Sequence, residues 1–408
     1  MRHVSALVTA GLLAFALLVA TPASARVARP SLSSASAGIV VDARSGEVLL
    51  QKHANARRPI ASTTKLMTAL LTLESGKLGR TFTAPAYNAL PAESQIHLRR
   101  GERMTVRDLL TGLLLESAND AAADLAVGVA GSKAAFVAQM NARARQLGLH
   151  DTHYANPVGL DAPGNYSSAH DLAALARKLM ANRTFARIVD RPRATLHSGD
   201  HARTIHNRNL LIGRYRFVDG VKTGHTSTAH YVLVGAAHGN GGKVLSVVLG
   251  EPSEGARDAD TLALLRWGID QYRRVTLLRP GHTVTYAKVA HHSDLRIRLT
   301  TRRSASFTLR RGERLTTRVH VPAELEGPIP AGRRVGSVDV RYLGHRVKTL
   351  GLITTRSVPG ATLLQRLTEP LGPLLTSLAL ILVVLGGVLA GLRLRASIAR
   401  RPKTVSSR

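Results

Sequence analysis

An uncharged apolar segment near the C-terminus, residues 371–392, is the feature that most restricts how this chain can fold. At ~1.5 Å rise per residue, a helix of about 20 apolar residues is long enough to cross the ~30 Å hydrocarbon core of a membrane. By the positive-inside rule, the pattern predicts a transmembrane helix over 371–392 and a basic cytoplasmic tail over 393–408, with all preceding residues on the outer side. The cations that follow the segment are Arg393, Arg395, Arg400, Arg401 and Lys403.

The N-terminus has the features of a secretory signal peptide. Arg2 and His3 precede an apolar run over Val4–Ala20, and Ala23-Ser24-Ala25 forms a small-x-small cleavage site. We predict a signal peptide over residues 1–25 and a linker rich in Ser and Ala over 26–37, with an uncleaved anchor as the alternative. Together with the helix at 371–392, these features predict a single-pass protein of the cell membrane whose folded domains are extracytoplasmic.

The predicted compartment decides how the net charge is interpreted. A formal charge of +30 would favour nucleic acid as the partner of a cytosolic protein. For an exported protein, anionic lipid headgroups or acidic cell-wall polymers are the better partners, and we predict no nucleic-acid binding. The chain contains no Cys, which excludes disulfides, zinc-thiolate sites and thiol nucleophiles. No metal and no cofactor are predicted.

The segment Pro59–Leu71 has the pattern of a serine nucleophile at a helix start. Small hydroxyl residues lead into apolar positions at helical spacing, so Ser62 is expected to open a buried helix, with Lys65 one turn further on the same face. A lysine kept neutral by burial can act as the base for a serine, and the free N–H groups of a helix start can bind an oxyanion. The simpler alternative is an N-cap Ser followed by a surface Lys.

Two further polar motifs interrupt apolar elements. Ser117 and Asn119 lie at the apex of a predicted helix-loop-helix, between helices over 106–115 and 121–130, where simple helix capping is the alternative. Lys222-Thr223-Gly224 precedes two strands that are joined by the hairpin signal Asn240-Gly241. A strand edge with a cation, a hydroxyl and a close-approach Gly could pair with an extended peptide and bind its carboxylate, although Lys-Thr-Gly is also a common strand-end tripeptide.

The remaining patterns predict the surrounding architecture. A hairpin is expected over Ile39–Leu50, and the irregular segment Phe82–Leu98 is interpreted as a surface excursion. A helix carrying Arg257 and Trp267 closes the first domain. From residue 275 to 358, short runs rich in Val, Thr, Ile and Arg are punctuated by Gly and Pro, which predicts a small all-β domain without a catalytic constellation.

The order and spacing of the three motifs are more specific than any one of them. Ser-x-x-Lys, Ser-x-Asn about 50 residues later and Lys-Thr-Gly about 100 residues beyond it form the serine penicillin-recognising constellation. Over Ala37–Arg273 the chain resembles the low-molecular-mass penicillin-binding proteins, the serine D-alanyl-D-alanine carboxypeptidases. Within this range, the resemblance includes several shorter segments besides the three motifs: Asp42–Gly46, Gly159-Leu160-Asp161, Tyr166-Ser167-Ser168, Asn207-Arg208-Asn209, Asp219–Thr226 and Trp267-Gly268.

The resemblance implies a fold and a role for each motif residue. The implied fold class is α/β (α+β): a penicillin-binding, serine β-lactamase-like domain over 38–273 with an antiparallel sheet flanked by helices, then the small β-rich domain over 275–358 and the transmembrane helix. Ser62 would be the acyl-ester nucleophile and Lys65 the proton acceptor. Ser117 and Asn119 would relay protons and hold the substrate. The substrate-binding residues would be Lys222, Thr223, Gly224, His225, Arg208 and Arg257, with the backbone N–H groups of Ser62 and His225 as the oxyanion hole.

By the same resemblance, the substrate is the peptidoglycan stem peptide, from which the terminal D-alanine is removed, and β-lactam antibiotics are covalent inhibitors. A β-lactamase is one alternative, but the Glu-x-x-Leu-Asn pattern expected between the second and third motifs is absent. A non-catalytic wall-binding relative is another, although such relatives usually lose a motif residue. A transpeptidase or endopeptidase using the same acyl-enzyme stays open, because the sequence does not reveal the shape of the cleft.

Overall fold

The computed structural model describes residues 27–368 and 372–399. The predicted signal peptide over 1–25 and residues 400–408 of the predicted tail lie outside the described residues. The chain divides into two compact units, the first ending at Tyr272 and the second beginning at Arg273.

The first unit is built on an antiparallel sheet. Its described strands are β1 (Ala37–Asp42), β2 (Val48–Lys52), β3 (Thr81–Thr83), β4 (Arg103–Thr105), β5 (Arg193–Leu196), β6 (Arg203–His206), β7 (Val218–Thr226), β8 (His230–Gly239) and β9 (Gly242–Glu251). Five of them form one sheet in the order β2-β1-β9-β8-β7, while β3 pairs with β4 and β5 with β6. Strand β7 is therefore an edge of the main sheet.

Helices cover this sheet on both faces. They are α1 (Lys65–Glu74), α2 (Val106–Leu115), α3 (Asn119–Ala130), α4 (Lys133–Gln146), α5 (Ala169–Met180), α6 (Arg183–Val189) and α7 (Glu254–Asp270), and a 3-10 turn over Ala61–Thr64 leads into α1. Side-chain caps fix several helix starts: the Thr105 hydroxyl accepts from the Asp108 N–H at 3.3 Å, and Ser168 caps α5 in the same way.

The side chains of β1 alternate between two apolar cores, one on each face of the sheet. Ile39 and Val41 belong to the apolar core formed with α1–α5, whereas Val40 belongs to a second core with Leu264 and Leu265 of α7. Because successive side chains of a strand point to opposite faces, both faces of the sheet are buried. This burial accounts for the nearly continuous apolar runs of β8 and β9.

The second unit is a β domain followed by helix. Its strands are β10 (Tyr272–Leu278), β11 (Thr285–Val289), β12 (His292–Thr301), β13 (Ala305–Arg310), β14 (Leu315–His320), β15 (Glu324–Leu325), β16 (Arg334–Tyr342) and β17 (His345–Thr354). Six of them form a sheet in the order β14-β16-β17-β12-β11-β15, and β10 pairs with β13. Ile297, Leu299, Val338 and Leu352 are fully buried in its core.

Two helices, α8 (Leu363–Thr368) and α9 (Gly372–Ala399), follow the β domain. Within α9, residues Ser377–Ala396 form a 20-residue stretch of mean hydropathy 2.3 whose side chains are not buried in the protein. By length and composition this helix can act as a membrane anchor. The predicted fold class, an antiparallel sheet flanked by helices, then a β domain and one apolar C-terminal helix, is confirmed.

One local expectation is wrong. Ser62 does not open the α-helix, which begins at Lys65; it lies in the preceding 3-10 turn, and neither element has a side-chain cap. The segment Phe82–Leu98 is an irregular surface excursion of mostly exposed and half-buried residues, as predicted. Its start belongs to β3, and the backbone N–H groups of Ile96 and Leu98 donate to the buried carboxylate of Asp120 at 3.2 and 2.9 Å. A buried carboxylate needs such donors, and these two N–H groups tie the segment to the start of α3.

Candidate active site

The first motif brings a hydroxyl and an amine together. Lys65 Nζ lies 2.9 Å from Ser62 Oγ, because the 3-10 turn places Ser62 one turn before the first residue of α1. Lys65 is completely buried. Burial holds the pKa of the Lys65 amine well below its usual value, and the positive charge of Lys222 lowers it further. The amine can therefore be neutral and can accept the proton of Ser62.

A tight loop on the other side of Lys65 holds the amine in place. Lys65 Nζ donates to the Val158 carbonyl, and Asn156 Oδ1 accepts from the N–H groups of Val158 and Gly159 at 3.2 and 2.7 Å. Gly159 has φ +89°, and a Cβ at this position would lie 2.1 Å from the Ala61 carbonyl oxygen. Only glycine fits this approach, which explains the Gly in this loop.

The second motif lies where α2 ends and α3 begins. Ser117 is buried and adopts φ +65°, a left-handed conformation that is costly for a non-glycine residue and turns the chain sharply between the two helices. Asn119 is the first residue of α3, and its side-chain Nδ2 donates to Glu93 Oε2 at 2.7 Å. The Asn119 N–H donates to the Ser94 carbonyl at 2.8 Å. The amide is thereby held by the segment that precedes β4.

The third motif lies on edge strand β7, next to the nucleophile. A Cβ at Gly224 would lie 2.9 Å from the Ser62 backbone nitrogen, so the missing side chain lets the strand approach Ser62 closely. Lys222 and Thr223 are buried. Burial lowers the pKa of Lys222 to about 7, with the positive charges of Arg257 and Arg208 adding to the effect. An anion bound there would relieve this concentration of positive charge.

Two arginines contribute positive charge near Lys222. Arg257 is buried, and its guanidinium binds Glu254 at 2.7 Å and Asp258 at 2.8 Å. It also lies 5.9 Å from the centroid of the Tyr231 ring, which stacks on the exposed His225 ring at a centroid distance of 4.1 Å.

Arg208 is half-exposed and forms an ion pair with Glu116, the C-cap residue that follows α2. The Arg208 N–H donates to the Leu115 carbonyl at 3.0 Å. Through these contacts, the segment carrying Arg208 is fixed to the same turn as Ser117.

The predicted site residues are connected in different ways in the structure, some by direct contact and some by charge. Ser62 and Lys65 are in direct contact, Gly224 packs against Ser62, and Lys222 is coupled to Arg208 and Arg257 by charge. Asn119 is instead bound to Glu93, which belongs to none of the three motifs. Glu93 and its neighbour Tyr87 are missed by sequence reasoning, because they lie in a segment rich in Pro and Ala without periodicity. Nothing in one sequence marks them.

Within residues 27–368 and 372–399, no three His, Asp or Glu side chains come close enough together to hold a metal ion. The reactive groups that the site does bring together are the Ser62 hydroxyl and the Lys65 amine. A hydroxyl beside a buried amine, next to the edge strand of a sheet that is covered by helices, is the arrangement of a serine-type acyl-transfer enzyme.

Comparison with known proteins gives the family. Residues 23–253 match the D-alanyl-D-alanine carboxypeptidase family, and residues 272–360 match the C-terminal domain of penicillin-binding protein 5. The chain is 32% identical to D-alanyl-D-alanine carboxypeptidase DacF of Bacillus subtilis over 320 residues, covering 76% of this chain and 82% of DacF.

Solved structures agree. Penicillin-binding protein 5 of Haemophilus influenzae aligns with a TM-score of 0.57 at 28% identity, over 82% of this chain and 100% of the other. The Streptomyces K15 DD-transpeptidase aligns with a TM-score of 0.55 at 34% identity, over 59% of this chain and 99% of the other.

The chain belongs to the D-alanyl-D-alanine carboxypeptidase family. It is a serine-type carboxypeptidase of the penicillin-binding-protein kind, and the family, the fold and the enzyme class predicted from the motifs are confirmed.

Proposed function

We propose that the enzyme removes the terminal D-alanine from peptidoglycan pentapeptide stems through an acyl ester on Ser62. Lys65 Nζ takes the proton of Ser62 Oγ as that oxygen attacks the carbonyl carbon between the two D-alanines. The backbone N–H groups of Ser62 and His225 stabilise the tetrahedral oxyanion. The observation that carries this proposal is the contact of 2.9 Å between Ser62 and a fully buried lysine.

The second half of the reaction returns the proton and releases the products. Lys65 returns the proton through the Ser117 hydroxyl, which gives up its own proton to the amine of the departing D-alanine as the C–N bond breaks and leaves the acyl ester on Ser62. Lys65 is then neutral again and accepts a proton from the water that attacks the ester carbonyl. As the ester C–O bond breaks, Lys65 passes this proton to the Ser62 oxygen, which frees the shortened stem and restores the Ser62 hydroxyl. Asn119 holds the substrate amide during both steps.

Substrate selection is assigned to β7 and its arginines. Lys222 and Thr223 bind the terminal carboxylate, and Arg208 and Arg257 raise the positive potential around it. Gly224 lets the peptide backbone lie against the strand edge beside Ser62. β-Lactams use the same contacts and form a penicilloyl ester, whose cleaved amine stays attached and does not diffuse away.

The test is intact-mass spectrometry of the full chain in detergent after incubation with benzylpenicillin, beside Ser62→Ala. We expect a stable adduct of one penicilloyl group on the wild type only, and release of D-alanine from a pentapeptide by the wild type only. An unmodified wild type with intact penicillin would refute the acyl-serine site. An unmodified wild type with consumed penicillin would indicate a β-lactamase.

We infer that the protein is exported by a signal peptide over 1–25 and anchored as a single-pass membrane protein by α9, with its catalytic domain over 38–273 extracytoplasmic. The linker over 26–37, the β-rich domain over 275–358 and the cytoplasmic tail over 393–408 complete this proposed organisation. The uncharged segment 371–392 and the cations that follow it support the orientation.

The basic surface of the second unit supports an anionic partner. A cavity of about 680 Å³ is lined by Arg302, Arg303, Arg333, Arg334 and Lys348, and none of these cations pairs with a carboxylate in the described part of the chain. Such a cavity suits the phosphate groups of a membrane surface. We expect Arg303→Ala with Arg333→Ala to elute from phosphocellulose at lower salt than a matched Arg314→Ala, Arg318→Ala control; equal elution would refute this role.

A further inference from the structure

Glu93 contacts both its own loop and Asn119 of the second motif. Its Oε2 accepts from Asn119 Nδ2 at 2.7 Å and from the Tyr87 hydroxyl, and its Oε1 accepts from the Leu90 N–H at 3.0 Å. The backbone closes the same turn, because the Glu93 N–H donates to the Leu90 carbonyl at 3.0 Å. The carboxylate is thus fixed on one side by its own turn and faces Asn119 on the other.

These contacts keep Glu93 ionised. Burial raises the pKa of Glu93, but the hydrogen bonds from Leu90, Tyr87 and Asn119, together with the charge of Lys65, more than offset this effect and hold the pKa below its usual value. Glu93 therefore carries a negative charge at neutral pH.

The contact with Asn119 determines which way that amide points. An ionised carboxylate accepts hydrogen bonds and donates none, so it selects the Nδ2 end of the Asn119 side chain. The Oδ1 atom of Asn119 is left for other partners. An amide with a fixed orientation presents the same acceptor to every substrate and loses less entropy on binding.

The charge of Glu93 also acts on Lys65. Burial and Lys222 make the Lys65 amine less basic, whereas the negative charges of Glu93 and Asp120 act in the opposite direction and raise the pKa of Lys65. Asp120 is occupied by backbone N–H groups of the 93–98 segment. Glu93 is the one of these two carboxylates that also touches a motif side chain.

We propose that Glu93 is a positioning residue for the acyl-transfer reaction: it orients the Asn119 amide toward the substrate and its charge sets how readily Lys65 accepts the proton of Ser62. This inference rests on the proposed roles of Ser62, Lys65 and Asn119. It extends the site beyond the three motifs to the Tyr87–Glu93 segment.

Three variants separate the two effects. Glu93→Gln removes the charge and keeps one acceptor oxygen of similar reach, with an NH2 donor in place of the other. Glu93→Ala removes the charge and both acceptors, and Tyr87→Phe removes one hydroxyl that donates to the carboxylate. Glu74→Gln is the control for loss of a carboxylate, because Glu74 ends α1 in an ion pair with Arg143 away from the motifs.

The experiment measures the second-order rate of acylation of the full chain in detergent by a fluorescent penicillin between pH 4 and pH 10. The rate should rise with pH as Lys65 loses its proton, which gives an acidic limb of the pH profile, and should then reach a plateau. Removing the negative charge lowers the pKa of Lys65, so Glu93→Gln should shift this acidic limb to lower pH. Glu93→Ala should also lower the plateau rate by about tenfold to a hundredfold, because Asn119 loses a charged partner. Tyr87→Phe should lie between the wild type and Glu93→Ala.

The outcomes separate a positioning role from a structural one. If Glu93→Gln keeps the wild-type acidic limb and Glu93→Ala keeps the wild-type plateau, with only the unfolding midpoint lowered, Glu93 merely anchors its loop and the proposal is overturned. If the wild type itself is not acylated at Ser62, the proposed function fails instead. Glu74→Gln should match the wild type in both limb and plateau.

Discussion

Replacing Gly159 with Ala should damage both the stability of the first unit and its acylation by penicillin. Gly159 has φ +89°, and a Cβ would lie 2.1 Å from the Ala61 carbonyl oxygen and 2.6 Å from the Ala61 carbonyl carbon. These are backbone atoms of the turn that carries Ser62, so they cannot move aside as a side chain can. The neighbouring Val158 carbonyl, which accepts from Lys65, would be displaced with the loop.

The magnitude follows from two separate costs. A non-glycine residue in the left-handed conformation costs ~1 kcal/mol, and forcing an extra carbon into a packed site costs ~1–3 kcal/mol. We therefore expect Gly159→Ala to lower the free energy of unfolding by about 2–4 kcal/mol. Gly131 offers a matched control, since it has φ +82° but a Cβ added there would meet nothing within 4 Å, so Gly131→Ala should incur only the conformational cost.

The chain has a single Trp, Trp267 in α7, so denaturant unfolding followed by Trp fluorescence reports on the first unit. Gly159→Ala should unfold at clearly lower denaturant than Gly131→Ala and should be acylated at least tenfold more slowly, whereas Gly131→Ala should be acylated at the wild-type rate. Equal midpoints and equal acylation rates for the two variants would refute the argument that the loop is wedged against the Ser62 turn.

Three further outcomes are expected. Lys65→Arg should reduce the rate of acylation by about a thousandfold or more while the protein stays folded, because a guanidinium cannot give up its proton. Penicillin labelling of the purified variant measures this rate. A reduction of less than tenfold would contradict the role of Lys65 as base. Because the pKa of Lys222 is lowered to about 7, its positive charge is lost as the pH rises through neutrality. KM for a peptide with a free terminal carboxylate should therefore rise above pH 7, while KM for the corresponding peptide amide should not. Parallel pH profiles of the two KM values would argue against carboxylate binding by Lys222. Asp124 is fully buried, and both of its carboxylate oxygens are unpartnered among the described residues. Burial raises the pKa of Asp124 from 3.8 to about 7. The stability of the native state therefore falls as the pH rises between these two values. Asp124→Asn should therefore raise the free energy of unfolding by about 2–4 kcal/mol at pH 8 and leave it nearly unchanged near pH 4, as measured by Trp267 fluorescence; an equal effect at both pH values would refute the charge argument.

The sequence predicts those parts of the fold that depend on local chemistry. The Thr105 cap of α2, the Asn240-Gly241 hairpin between β8 and β9, and the apolar helix near the C-terminus all arise from short-range patterns, and the structure has each of them. The contact between Ser62 and Lys65 is also local, because three residues of a helical turn fix it.

The parts that sequence reasoning misses depend on distant contacts. Glu93 lies 26 positions before Asn119 in the chain, and Val158 lies 93 positions after Lys65. Neither contact leaves a periodic signal. The roles assigned to the site residues stay predictions until the variants are measured.

The position of β7 at the sheet edge has a consequence for resistance to inhibitors. An edge strand offers N–H and C=O groups that belong to the main chain, and every residue except proline carries the same pair. An inhibitor that lies along β7 as an additional strand would bind groups that side-chain mutation cannot remove. Mutations that give resistance to such an inhibitor would then have to distort the strand or fill the space beside Gly224. A carbon added at Gly224 would lie 2.9 Å from the Ser62 nitrogen and would obstruct the natural substrate as well.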